Sequence, residues 1–123
     1  MFAFLRRFGI GDPDAAAKTL NKDAVAILEM VHGVHGAESL RRIATVIRDA
    51  RAEVHERALG KPEHYGTGVR ALTDKNSEAR RRNDQVTWSG LTLTIIYLKA
   101  EMEGDKAAPA RADIDAFLAE WRH

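Results

Sequence analysis

The chain has 123 residues, no cysteine, and 19 Lys plus Arg against 18 Asp plus Glu, for a formal net charge of +1. Without a thiol there is no disulfide, no thiolate catalysis, no thiolate zinc site and no cysteine-ligated iron–sulfur cluster, and the near-neutral balance gives no global attraction to nucleic acid. No apolar run approaches the roughly 20 residues of a spanning helix, and the first residues lack the apolar core and cleavage site of a secretory signal, so a cytoplasmic protein with one hydrophobic core is expected.

Residues 1–11, MFAFLRRFGIG, place Phe2, Phe4, Leu5 and Phe8 around Arg6 and Arg7 and stop at two glycines. So many aromatic side chains are not left in water without a partner. Three fates are open to this apolar-basic segment. It folds back over the core, it enters the headgroup region of an anionic membrane, or it fills a groove on another subunit or protein. It is set apart from a helical domain over residues 12–123. Asp12-Pro13-Asp14 starts a helix, with Asp12 as cap, Pro13 at the first helical position and Asp14 at the positive dipole end. From there Ala17, Leu20, Ala24, Ile27, Val31 and Val34 recur at steps of three and four, one apolar stripe along one helix.

The stripe ends at His32-Gly33-Val34-His35-Gly36, where glycine permits a turn. A second stripe of Leu40, Ile43, Ile47, Ala50 and Val54 follows, with Arg48, Asp49, Arg51, Glu53, Glu56 and Arg57 at its outer positions. The two helices form a hairpin. Gly60 to Lys75, with Gly60, Pro62, Gly66 and Gly68, shows no convincing period and reads as irregular, apart from a helical turn at Val69 to Leu72.

The next helix begins around Asp74, Asn76 or Ser77 and runs to about Glu103. It carries two stripes, Ala79, Val86, Leu93, Tyr97 and Ala100 on one side and Trp88, Leu91, Ile95, Leu98 and Met102 on the other, which marks a helix enclosed by its neighbours. A rival reading makes Val86 to Ile95 a strand hairpin around Ser89-Gly90, because the segment is rich in strand-favouring residues. Ile114, Phe117, Leu118 and Trp121 fall at i, i+3, i+4 and i+7 in a short closing helix. The expectation is an all-α, single-domain helical bundle of three long helices plus a short C-terminal helix.

Charge is unevenly placed along this plan. Between Arg57 and Arg82 there are four more cations than acids, and between Lys99 and Glu120 three more acids than cations. If the first helix descends and the second returns, the Gly60 to Lys75 segment, Arg6 and Arg7 share a basic end, and the His32 to Gly36 turn faces an acidic one. Arg80-Arg81-Arg82 would sit in the first turns of the third helix, where the macrodipole disfavours cations. A local rule broken without compensation marks a candidate binding site, and guanidinium forks match phosphates and carboxylates. The plain alternative is that Glu78, Asp84 and acids of the second helix neutralise the arginines in solvent.

Other chemistry is thinly supported. Glu29 and His32 stand at ExxH spacing with His35 three residues on, the edge that carboxylate-bridged metal bundles use, but the second ExxH and companion glutamates are missing, so no metal and no cofactor is expected. His55, His64 and His123 lie elsewhere with no matching spacing. Ser39, Ser77 and Ser89 sit in no nucleophile elbow, and Gly66-Thr67-Gly68 lacks the lysine of a phosphate loop. His64 and Tyr65 have no carboxylate or nucleophile beside them.

The function expected is a non-enzymatic helical interaction or assembly module. Phe2, Phe4, Leu5, Arg6, Arg7, Phe8, Arg70, Lys75, Arg80, Arg81 and Arg82 would bind a protein partner, a second copy of the chain or an anionic membrane surface at the inner face of a membrane. The alternatives are a small metal-binding or enzymatic bundle built on Glu29, His32, His35 or the His64-Tyr65 loop, and weak nucleic-acid binding without sequence preference.

Overall fold

A computed structural model of the protein describes residues 22–104 and 108–121. Among these residues the chain is all-α and has no strand. Helix α1 spans Lys22–His35, α2 Ala37–Arg57, α3 Gly66–Arg81, α4 Gln85–Glu103 and α5 Ala108–Glu120, with a 3-10 turn at Pro62–His64. The segment with a rival strand reading, Val86 to Ile95, lies wholly within α4. The Asp12-Pro13-Asp14 helix start falls outside the described residues.

Helix α4 is the hub. It packs against α1, α2, α3, α5 and the 3-10 turn, and its two apolar stripes serve two clusters. Val86, Leu93 and Tyr97 join Leu28, Val31, Leu40, Ile43, Ala44, Ile47, Ile114, Phe117 and Leu118. Leu91 and Leu98 join Ala50, Val54, Ala58, Tyr65 and Leu72. Close approach at the centre depends on Gly90, since a Cβ there would lie 2.7 Å from Val46 Cγ1 and 2.8 Å from Val46 Cβ.

The expected third long helix is divided in two, and the expected irregular segment is largely helical. Helix α3 begins at Gly66, inside the stretch expected to be irregular, and ends at Arg81. Asn83 then adopts a left-handed φ of 56°, a conformation that asparagine tolerates better than most residues. Asp84 caps α4 by accepting from the Thr87 backbone N–H at 3.2 Å. Hydrogen bonding from Thr87 holds the Asp84 carboxyl below its usual pKa, and the charges of Arg42 and Arg82 add to this.

Helices α3 and α4 run antiparallel and are stitched by a buried amide. Asn76 Nδ2 donates to the Trp88 carbonyl at 2.8 Å and to Thr92 Oγ1 at 2.9 Å, while the Thr92 hydroxyl donates to the same carbonyl. At the end of α2, Leu59 (φ 53°) and Gly60 (φ 73°) are consecutive left-handed residues. Gly60 N–H closes on the His55 carbonyl. Leu59 is left 81% exposed.

Candidate functional site

The residues proposed from sequence divide into three groups. Phe2, Phe4, Leu5, Arg6, Arg7 and Phe8 lie outside the described residues. The five cations of the second group are exposed, but they run along α3 instead of clustering at one pole. Arg70 and Arg80 are separated by ten residues, about 15 Å of helix. Lys75 Nζ lies 3.7 Å from Glu53 Oε2, and Arg57 Nη2 lies 3.0 Å from the other oxygen of that carboxylate. Arg81 pairs with Glu78 at 2.6 Å. The Arg80 guanidinium stands 4.7 Å over the Trp88 ring, a cation–π contact that holds the side chain against α4.

The dipole conflict expected at Arg80-Arg81-Arg82 does not exist. These residues form the last turn and C-cap of α3, where the partial negative charge of unpaired carbonyls favours cations by about 0.3–1 kcal/mol each. The expected end-to-end arrangement is also reversed. His35 Nε2 and Gln85 Oε1 are 2.7 Å apart, and Gln85 Nε2 reaches Met30 Sδ at 3.3 Å. The arginine triplet therefore shares an end with the His32 to Gly36 turn. Glu101, near the acidic end of α4, instead meets Arg51 and Tyr65 toward the 3-10 turn. Two apolar side chains are exposed at the arginine end, Met30 at 37% and Val34 at 66%.

The third group is the set of metal candidates. Glu29 is exposed, His32 half-buried and His35 engaged with Gln85. Among the described residues no group of three His, Cys, Asp or Glu converges to hold a metal ion.

A different constellation forms between α2 and α5. Arg48, Arg51 and His55, at i, i+3 and i+7 of α2, line a groove of about 360 Å³ with Ala52, Glu56 and, from α5, Leu118. Arg48 Nη2 donates to the Leu118 carbonyl near the end of α5. The Arg51 guanidinium lies 4.2 Å over the Tyr97 ring and its Nε is 3.5 Å from Glu101 Oε1. Tyr65, part of the loop named for the alternative enzymatic reading, is a buried anchor. Its hydroxyl donates to Glu101 at 3.5 Å and its ring lies 6.5 Å from that of His55. Burial, followed by the charge of Glu101, raises the Tyr65 pKa.

Tyr97, buried beneath the Arg51 guanidinium, donates its hydroxyl to Asp115 Oδ1 at 2.9 Å. Burial first, then the bond to Asp115, pushes its pKa up to about 12. The unfolded chain gives up this proton near pH 10 and the folded chain does not, so stability is lost as pH rises from about 10 to about 12. With Tyr97 only 4% exposed, the loss amounts to about 2–3 kcal/mol. Urea unfolding of the wild type and of Tyr97→Phe at pH 9 and pH 12 isolates it. The variant is about 1 kcal/mol less stable at pH 9 and shows the smaller further loss at pH 12.

The sequence signal for this groove is the i, i+3, i+7 spacing of Arg48, Arg51 and His55; the two arginines read from sequence as part of a charged outer face and His55 as an isolated histidine. Nothing local announced Tyr97, Glu101 and Asp115 as its supports. No protein-family model, curated protein or solved structure matches the chain.

Proposed function

We propose that the protein is a non-enzymatic helical interaction module that docks an acidic protein surface on the end formed by the α1–α2 turn and the last turn of α3. One observation carries this reading: exposed Met30 and Val34 occupy the same end as Arg42, Arg81 and Arg82. Burial of the two apolar side chains supplies affinity, and the arginines orient an acidic partner and speed its approach. The segment bearing Phe2, Phe4, Phe8, Arg6 and Arg7 offers the same pairing of chemistries and belongs to this reading as a second binding element. Among the described residues no helix is long and apolar enough to cross a membrane.

The test uses the full chain and a polyglutamate peptide as the acidic probe, followed by fluorescence anisotropy at two salt concentrations. The wild type binds and weakens as salt screens the charges. The Arg80→Gln, Arg81→Gln, Arg82→Gln triple variant binds about tenfold more weakly, and Val34→Ser reduces affinity without altering the salt slope. Equal binding by the triple variant would remove the acidic-partner reading. Binding confined to vesicles containing phosphatidylserine would replace it with a membrane surface.

A further inference from the structure

The α2–α5 groove lies away from the arginine triplet, and we propose that it is a binding site for a small phosphomonoester. Helical spacing places Arg48 and Arg51 as neighbours on one face of α2, where two like charges repel unless an anion lies between them. His55 continues the row one turn further, and Ala52 and Leu118 give the groove an apolar wall.

Both guanidiniums are held before any ligand arrives. Arg51 is fixed by the Tyr97 ring and by Glu101, so little side-chain freedom is lost on binding. Arg48 is tethered through one nitrogen to the Leu118 carbonyl, and a guanidinium has five N–H donors in all. Among the described residues no carboxylate pairs with Arg48 or His55. Glu101 is engaged behind the groove, which leaves Glu56 as the one acid among the lining residues described.

The donor set selects the ligand. Two guanidiniums and an imidazole present more donors than one carboxylate with two oxygens can satisfy, whereas a phosphate offers three acceptor oxygens and nearly two negative charges. A volume of about 360 Å³ falls at the small end of the roughly 300–1,000 Å³ range of ligand sites. It suits one phosphate with a short apolar body.

Isothermal titration of the full chain with phenyl phosphate, inorganic phosphate and benzoate tests this. Phenyl phosphate binds saturably with one site per chain, inorganic phosphate more weakly, and benzoate about tenfold more weakly than phenyl phosphate. Arg48→Lys keeps the charge but loses the fork and weakens phenyl phosphate about tenfold. Should that variant fail to fold, the exposed positions carry the test: His55→Gln weakens binding about threefold, and Glu56→Gln strengthens it by a similar factor. The Arg80→Gln, Arg81→Gln, Arg82→Gln variant binds phenyl phosphate as the wild type does. The proposal is overturned if no saturable binding occurs at millimolar ligand, if benzoate matches phenyl phosphate, or if the arginine triplet governs affinity while the groove variants leave it unchanged.

Discussion

Replacing Gly90 with leucine lowers the unfolding free energy by about 3 kcal/mol or more, and even alanine there costs about 1 kcal/mol net. The second figure is the more diagnostic, because alanine is the better helix former by about 1 kcal/mol and would stabilise an exposed helix. Here the new Cβ meets Val46 Cγ1 at 2.7 Å, Val46 Cβ at 2.8 Å and the Ile43 carbonyl oxygen at 3.5 Å. A rotamer change moves Cγ1 out of the way. It cannot move Cβ, which is fixed to the α2 backbone, so α2 and α4 must separate along the centre of the molecule. Chemical denaturation of both variants, with Val46→Ala added to Gly90→Ala, checks the mechanism. The double variant recovers part of the loss and never exceeds the wild type. A Gly90→Ala protein more stable than the wild type would mean that the two helices do not approach so closely.

The second large effect is expected at Asn76. Aspartate there costs about 2–3 kcal/mol at neutral pH, even though it is almost the same shape. The amide donates to the Trp88 carbonyl and to Thr92 Oγ1. A carboxylate has no proton to give and would face those oxygens across a buried contact. Arg80, one turn along α3, offsets only part of this because its guanidinium is held over Trp88. The buried acid therefore has a raised pKa in the folded state, against about 3.9 unfolded. The sign follows: the deficit relative to wild type is small below the unfolded pKa and grows as pH rises through the folded one. Thermal melts of both proteins from pH 3.5 to 8 should diverge with rising pH. Parallel curves would show that the amide is not working as a donor in a dry interface.

These two positions also show how far sequence could be read. The α2 stripe of Leu40, Ile43, Ile47, Ala50 and Val54 is buried as expected, since a regular period over about four turns leaves one face for the core. In α1 Val31 is buried and Ile27 packs against the core as expected, but the two ends of the described stripe differ. Leu28 is buried and Val34 is 66% exposed, because α1 ends against Gln85 and no described residue buries that side of its last turn. The larger departure from the sequence pattern is at α3. Gly66 and Gly68 read as helix breakers, yet a Cβ on Gly68 would lie 2.8 Å from both Val54 γ-carbons. That glycine serves packing between α2 and α3. The turn at Arg82 to Asp84 was hidden for another reason: Ala79 and Val86 are both buried and stand seven residues apart, so the apolar period crosses the break without interruption. Asn83-Asp84 was the local signal, a left-handed residue followed by a cap.

The groove was less legible still. Arg51 meets Glu101 across 50 positions of sequence and Arg48 meets the Leu118 carbonyl across 70. No window-based pattern reports such pairs. The cationic triplet was visible, but its energetic meaning depended on which end of which helix it occupied. One misplaced boundary reversed the sign of that argument.

The position of α4 in the chain bears on how the protein is made. Leu40, Ile43 and Ile47 are translated before the helix that shelters them, so a nascent polypeptide interrupted before Gln85 carries their apolar surface with no partner for much of it. Folding of the α1–α2 face then awaits synthesis of α4. Products terminated there would present that apolar surface to chaperones and proteases.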